Sequence, residues 1–160
     1  MMRRLLSALL LSLGTAQAQG SLSLQDLCLQ MTISRVQVVA YLPALESADL
    51  AECFRQAKVN YGRRVLLLTV PYFTQSPHSY VPSLALAGVP VFEANVNSPV
   101  GIVLIDGVAY AAPNLGRATS APPAAASAAQ TRVYAGWFTS ALKSATRLSP
   151  VDALSRLTRR

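Results

Sequence analysis

The stretch 99–114 constrains the fold of this chain more than any other. It contains two apolar runs, one on either side of the pair Asp106 and Gly107. An Asp-Gly pair between two such runs is typical of two strands joined by a tight turn. The sequence therefore predicts a buried β-hairpin. We call its open end, residues 99–101 and 112–114, the hairpin mouth.

The segments around the hairpin alternate between helical and strand periodicity. Apolar residues recur at helical spacing over 48–61, where Ser47 can cap the helix and Gly62 can end it. Further helices are predicted over 21–31, 81–87 and 131–148, and further strands over 35–42, 64–72 and 89–96. From residue 35 onward the order is β-α-β-α-β-β-β-α. This order predicts an α/β fold with a mixed, mostly parallel β-sheet covered by helices.

Residues 1–18 have the features of a signal peptide. Arg3 and Arg4 precede an apolar run, and the Ala-Gln-Ala sequence at 16–18 fits a cleavage site. The alternative is a membrane anchor, but the apolar run is about half as long as the roughly 20 residues that span a bilayer. We therefore expect export to the periplasm or the extracellular space, with no transmembrane anchor left after cleavage.

The rest of the chain divides by composition. Residues 19–33 form an N-terminal extension, 34–148 the α/β domain, and 149–160 a basic C-terminal tail. Within the domain, the segment 115–130 consists almost entirely of Gly, Ala, Ser, Thr and Pro, which is the composition of a mobile loop. A domain of this length can bury one sizeable core.

The chain is basic, and its positive charge is unevenly distributed. Lys and Arg number 14 against 7 Asp and Glu, for a formal net charge of +7. Beyond Asp106 the only acidic residue is Asp152, so the excess lies in the C-terminal third. An anionic partner would explain this charge: nucleic acid, phospholipid headgroups or another anionic polymer. A solvated basic helix would also explain it, because the charges are spaced rather than blocked.

Two cysteines and one histidine limit the available chemistry. Cys28 and Cys53 can form a disulfide in an exported protein, or they can remain as two buried thiols. His78 is the only histidine, so the sequence contains no set of zinc ligands, and it has no Gly-rich phosphate loop. The sequence predicts neither a metal nor another cofactor.

The order of elements, the passage Ala-Gly-Val-Pro-Val at 87–91 and the hairpin together resemble one half of the phospholipase D superfamily, especially its small, exported, nuclease-like members. The resemblance covers roughly residues 34–147. The family pattern is His-x-Lys-x4-Asp at the start of the hairpin and a Gly-Ser-x-Asn-like segment at its end. In the family the histidine attacks phosphorus, the lysine and asparagine bind phosphate oxygens, and two such half-sites meet across a dimer or an internal pseudo-dimer. The resemblance thus places catalytic groups at the hairpin mouth.

Most of that pattern is missing from this chain. Pro99 stands at the position of the histidine and Gly101 at that of the lysine, while Asp106 and Asn114 match the family. Proline offers no nucleophilic nitrogen and glycine no charge, so covalent hydrolysis lacks its main groups. The resemblance therefore implies a catalytically inactive phospholipase D-like domain that acts as a binding or structural module.

Three hypotheses of function stay open. A binding module would hold an anion beside Arg117 and Arg132, which follow the hairpin in sequence. A rearranged phosphodiesterase of nuclease or phospholipase type would act as a homodimer through His78, Asp106 and Asn114. Each of these three also has a plainer interpretation, His78 as a loop residue and the other two as turn residues. The third hypothesis is a structural role without a ligand.

Overall fold

A mixed sheet forms the centre of the fold in the computed structural model, which describes residues 20–159. The strands are β1 (Val38–Tyr41), β2 (Val65–Thr69), β3 (Val91–Glu93), β4 (Val100–Ile105), β5 (Val108–Pro113), β6 (Ala124–Ala125) and β7 (Thr146–Arg147). The helices are α1 (Leu24–Ile33), α2 (Ala48–Arg55), α3 (Pro71–Thr74), α4 (Val81–Leu86), α5 (Ala128–Lys143) and α6 (Pro150–Thr158), and a π-helical turn, Gln56–Asn60, continues α2. The strand order is β6-β5-β4-β1-β2-β3-β7. The predicted α/β class and the mixed sheet are confirmed.

Strongly apolar segments form the centre of this sheet. β1 and β2 run parallel, with Val38 opposite Val65, because α2 carries the chain back across one face of the sheet. β4 runs antiparallel to β1 on the other side, and Tyr41 lies opposite Ile102. Helices cover both faces of these strands, which explains why their sequences are nearly continuous apolar runs.

The predicted hairpin is present as β4 and β5. Asp106 and Gly107 have φ angles of +50° and +86°. Positive φ at both central residues is what a two-residue hairpin turn needs to match the twist of its strands. The helix predicted from residue 48 is present as well: Ser47 Oγ accepts a hydrogen bond from the Leu50 N–H at 3.2 Å, and Gly62 ends the helical stretch with a φ of +62°.

The sheet differs from the prediction at its edges. Only the pairings β1–β2 and β2–β3 are parallel, and the other four are antiparallel, so the sheet is not mostly parallel. The helix predicted over 131–148 already ends at Lys143, because the chain then turns into β7 and covers the edge of β3. The Leu148 N–H, just after β7, donates to the Val91 carbonyl at 2.9 Å.

Two segments expected to lie outside regular structure are ordered. The low-complexity segment 115–130 contains β6, which pairs with β5, and the first turn of α5, which Ser127 caps. The predicted basic tail, 149–160, is mostly helix α6, and its Ala153 is fully buried against the core. β6 gave no sequence signal, because a strand of two residues is formed only by its pairing with β5. Helix α6 begins with the Ser149 cap and Pro150, which are helix-start signals.

The segment before the first strand is part of the core. Leu27 and Met31 of α1 are fully buried in the apolar layer that α1, α2, α4 and α6 form on one face of the sheet. Of the two alternatives for the cysteines, the structure has the disulfide, since Cys28 is bonded to Cys53 of α2. The predicted signal peptide, 1–18, lies outside the described residues.

Helix α5 covers the other face of the sheet. Its Phe138 and Ala141 are buried against the strands, and the Trp137 ring meets the Tyr41 ring edge to face with 4.8 Å between the ring centroids. Within residues 20–159, no helix has the length and apolar character that a membrane crossing needs.

The disulfide gives a first testable prediction. Because it closes a loop between residues 25 apart in sequence, its loss in Cys28→Ala/Cys53→Ala should lower the free energy of unfolding by about 3 kcal/mol. Urea denaturation measures this, and reduction of the unmodified chain should give the same loss. An unchanged urea midpoint in both experiments would contradict a stabilising bond.

Candidate functional site

The hairpin mouth opens into a small cavity of about 250 Å³. Its wall is formed by the end of β1, the segment before β4, the segment after β5 and helix α3. The residues that bear on its chemistry are Tyr41, Phe73, Asn97, Ser98, Pro99, Asn114 and Arg117. Asn114 has a φ of +55°, and its N–H donates to the Pro99 carbonyl at 2.9 Å. The predicted turn role of Asn114 is thus present, and the residue also faces the cavity.

The space beside Gly101 is filled by the chain itself. A Cβ atom at residue 101 would lie 2.6 Å from Leu115 Cβ and 2.7 Å from the Leu115 carbonyl oxygen. Both are far closer than ordinary van der Waals contact. Leu115 is buried in the core, so it cannot turn aside. The position that aligns with the family lysine therefore has no room for any side chain.

Backbone hydrogen bonds hold Leu115 in this place. The carbonyl of the next residue, Gly116, accepts from the N–H groups of Glu46 and Ser47 at 2.7 and 2.9 Å. Gly116 has a φ of +102°, which a residue with a side chain rarely adopts, and a Cβ there would meet the Ala44 carbonyl. The segment after the hairpin is thereby fixed against the loop before α2.

Arg117 is the one cation among the described residues that line the mouth cavity. Its guanidinium lies over the Phe73 ring at 4.8 Å from the centroid, and its Nη1 is 3.8 Å from Glu46 Oε2. The ring orients the guanidinium, whereas the distant carboxylate offsets only part of its charge. Arg117 can therefore donate hydrogen bonds to an anion beside Asn114.

Two described residues of the cavity wall have a hydroxyl that could lose a proton to become a nucleophile. Ser98 is one, and its Oγ accepts a hydrogen bond from the Val100 N–H at 3.3 Å. Tyr41 is the other. Its hydroxyl donates to the Ser98 carbonyl at 2.8 Å. Burial raises the pKa of Tyr41 above its ordinary value. The phenol therefore stays protonated and hydrogen-bonded at neutral pH.

Asp106 lies at the opposite end of the hairpin. A strand of six residues separates it from the mouth, a distance of roughly 20 Å. Its carboxylate accepts four hydrogen bonds, from Ser34 Oγ at 2.7 Å and from the N–H groups of Arg35, Val36 and Gln37 at 2.7, 2.9 and 3.0 Å. The bonds from the Arg35 N–H and the Ser34 hydroxyl are the main reasons why the pKa of Asp106 is well below its ordinary value. Asp106 therefore anchors the start of β1. The sequence had suggested a different role, in which the carboxylate bonds its own turn.

The remaining candidate site residues do not line the mouth cavity. His78 is exposed in the loop after α3, where its backbone N–H donates to Ser76 Oγ at 3.3 Å, and it does not line the mouth cavity. Arg132 is exposed in the first half of α5. Its neighbour Thr131 accepts a bond from the Ala109 N–H, near the turn of the hairpin, at 3.4 Å. Of the predicted site residues, only Asn114 and Arg117 share the cavity, and residues 20–159 bring together no group of three metal-binding side chains.

The fold is similar to two solved structures. One is a phospholipase D family member, Nuc from Salmonella typhimurium, with a TM-score of 0.64 and 11% identity over 78% of this chain and 90% of that chain. The other is NucT from Helicobacter pylori, with a TM-score of 0.63 and 12% identity over 78% of this chain and 90% of that chain. No protein-family model matches the chain, and no curated protein sequence matches it. The chain thus has a phospholipase D-like fold, as the sequence resemblance implies.

The crowding at Gly101 gives a second prediction. Gly101→Ala should lower the free energy of unfolding by roughly 1–3 kcal/mol, because the added Cβ meets Leu115 backbone and side-chain atoms. Gly136→Ala is the matched control, because this exposed helix position has open space around it. Alanine there should raise the free energy of unfolding by roughly 0.5–1 kcal/mol. Urea denaturation compares the two. Equal stability of Gly101→Ala and the unmodified chain would show that Leu115 does not occupy the space beside Gly101.

Asp106 gives a third prediction, on pH dependence. Asp106→Asn should destabilise the chain at pH 7, because the folded state binds the ionised carboxylate through four donors. Since the folded-state pKa of Asp106 is lowered, this difference should be full above the unfolded value of about 3.9 and be lost as the pH falls through the folded-state pKa.

Urea midpoints of the Asp106→Asn variant and the unmodified chain between pH 7 and about pH 2 measure this loss. Asp49→Asn, on the exposed first turn of α2, serves as the control for a carboxylate without such an anchor. A constant difference between the Asp106→Asn variant and the unmodified chain over the whole range would contradict the anchor.

Proposed function

We propose that this phospholipase D-like domain is exported and binds an anionic group at the hairpin mouth without hydrolysing it. The observation that carries the proposal is the composition of the mouth cavity. Arg117 and Asn114 face it together, while the space beside Gly101 is taken by Leu115. The leader-like sequence at 1–18 supports export.

Hydrolysis of a phosphodiester needs groups that the cavity wall does not supply. It needs a nucleophile, a proton donor for the leaving group and donors for the charge on the phosphoryl oxygens. Among the described residues of the wall there is no imidazole, thiol or carboxyl group, so the Ser98 hydroxyl has no base to take its proton, and the Tyr41 phenol is held protonated. Only the third requirement, donors to oxygen, is met by Arg117 and Asn114.

Hydrogen-bond donors without a base that could activate a nucleophile favour binding over turnover. Arg117 supplies a charged fork, and the Asn114 amide a neutral donor, to one tetrahedral anion of the size that the cavity can take. A phosphodiester of nucleic acid, a phospholipid headgroup and another anionic polymer share this chemistry. The similarity of the fold to a phospholipase D family member is consistent with a phosphodiester partner.

The rearranged phosphodiesterase gains no support from the geometry. His78, Asp106 and Asn114 lie in three different places, and the Asp106 carboxylate is occupied by its four donors. A homodimer could bring a second His78 near a mouth, but the carboxylate would still lie at the far end of the hairpin. We therefore keep this activity only as an outcome of the experiment below.

The fourth prediction tests binding. A fluorescent 12-residue oligothymidylate should bind the chain with an affinity that falls as salt rises. Arg117→Ala should weaken binding roughly tenfold and reduce the salt slope by about one. Arg132→Ala, at the other end of the hairpin, is the control and should leave the affinity nearly unchanged. Equal losses in both variants would indicate nonspecific charge attraction instead.

A turnover assay accompanies the binding test. The chain should release no product from bis(4-nitrophenyl) phosphate or from the oligonucleotide. Hydrolysis that His78→Ala abolishes would replace this proposal with the rearranged phosphodiesterase.

A further inference from the structure

We propose that the edge of the domain opposite the hairpin mouth binds the surface of an anionic phospholipid bilayer. We call it the turn edge and define it by three segments, 29–37, 58–64 and 105–110. This surface goes beyond the function proposed above, because it lies at the far end of the hairpin from Arg117 and Asn114.

Hydrogen bonds hold the three segments side by side. Asp106, at the hairpin turn, accepts the N–H groups of the segment after α1. Arg63 Nε donates to the Thr32 carbonyl at 2.6 Å, and the Val38 N–H donates to the Arg64 carbonyl at 2.8 Å. The turn edge is therefore a preformed surface, and binding would need little ordering of its backbone.

Large apolar side chains of all three segments are exposed on this edge. The exposed fractions are 59% for Val36, 54% for Ile33, 54% for Tyr61 and 43% for Val108. Isolated exposed apolar residues are common, but these four lie on neighbouring segments of one edge, and Ile33 and Val108 line the same shallow depression there.

The charge of the turn edge is positive. Arg35 and Arg64 are exposed there, and Arg63 is partly exposed. The only carboxylate within the three segments is Asp106, and its negative charge is directed at the Ser34 hydroxyl and three backbone N–H groups. The cations of the edge are therefore not offset by an acidic partner among these segments.

This combination of side chains fits a bilayer surface. Arginines are attracted to anionic headgroups, and aliphatic and tyrosine side chains beside them can enter the boundary between headgroups and acyl chains. A nucleic acid would use the arginines but would leave Ile33, Val36 and Val108 in water, since these side chains have no aromatic face to stack on bases. The bilayer is thus the partner that uses both parts of the surface.

Such binding would fix the orientation of the domain. The turn edge would face the bilayer, and the hairpin mouth would point away from it, roughly 20 Å further out along β4 and β5. The anion site proposed above would then be open to a partner that approaches from the aqueous side.

The experiment places a reporter on each edge of the full chain. Val36→Trp reports on the turn edge, and Tyr72→Trp, at a residue of α3 that is 79% exposed beside the mouth, is the matched control. Both variants carry the same background from Trp137. Vesicles of phosphatidylcholine with about one third phosphatidylglycerol should shift the emission of Trp at 36 to the blue and leave that at 72 unchanged. Pure phosphatidylcholine vesicles should shift neither.

The charge is tested in the same assay. Arg35→Gln/Arg64→Gln, combined with Val36→Trp, should reduce the vesicle affinity at least tenfold, whereas Arg159→Gln, beyond α6, should not. Arg117→Ala should leave the shift at 36 unchanged, which separates this proposal from the anion site at the mouth.

Two results would overturn the proposal. One is an unshifted emission at 36 with anionic vesicles. The other is a combined result, in which the chain binds a DNA duplex, the double arginine variant abolishes that binding, and vesicles do not shift the emission at 36. The turn edge would then be a nucleic-acid surface.

Discussion

The carboxylate of Asp106 joins the two parts of the chain that form the centre of the sheet. It takes four hydrogen bonds from the Ser34 hydroxyl and the backbone of residues 35–37, and so fixes the hairpin turn to the start of β1. The pairing of β4 with β1 then begins in the correct register, with Ile105 opposite Val38. A one-residue slip would move every side chain of β4 to the other face, and both faces are buried. The arrangement of the mouth at the other end of the strands depends on this register.

The two ends of the hairpin carry different kinds of side chains. At the mouth, the chain fills the space beside Gly101 with Leu115 and leaves Arg117 and Asn114 as donors. At the turn, the anchored carboxylate holds segments that expose arginines and apolar side chains together. The described residues of the cavity wall in this phospholipase D-like fold include no imidazole, thiol or carboxyl group. The fold places the two surfaces at opposite ends of the hairpin, and we propose that each contacts a partner.

Local sequence signals predicted the parts of the fold that depend on local physics. The Asp-Gly turn, the cap at Ser47 and the helix end at Gly62 all follow from the conformational preferences of single residues. β7 was missed, because a strand of two residues exists only through its pairing with β3. The role of Asp106 was also missed, since its donors lie about 70 residues away in sequence. The sequence already showed that the mouth lacks a histidine and a lysine. That Leu115 occupies the space beside Gly101 could be seen only from the path of the backbone.

The central claim, that the mouth binds a phosphodiester and does not cleave it, is tested most directly by phosphorus NMR. A thymidine dinucleotide is incubated with an equimolar amount of the chain, and its phosphodiester resonance is followed over days. The account predicts that this resonance broadens or shifts on addition of the chain and that no monoester resonance appears. A growing monoester resonance would contradict the absence of hydrolysis, and a sharp, unshifted diester resonance would contradict binding at the mouth.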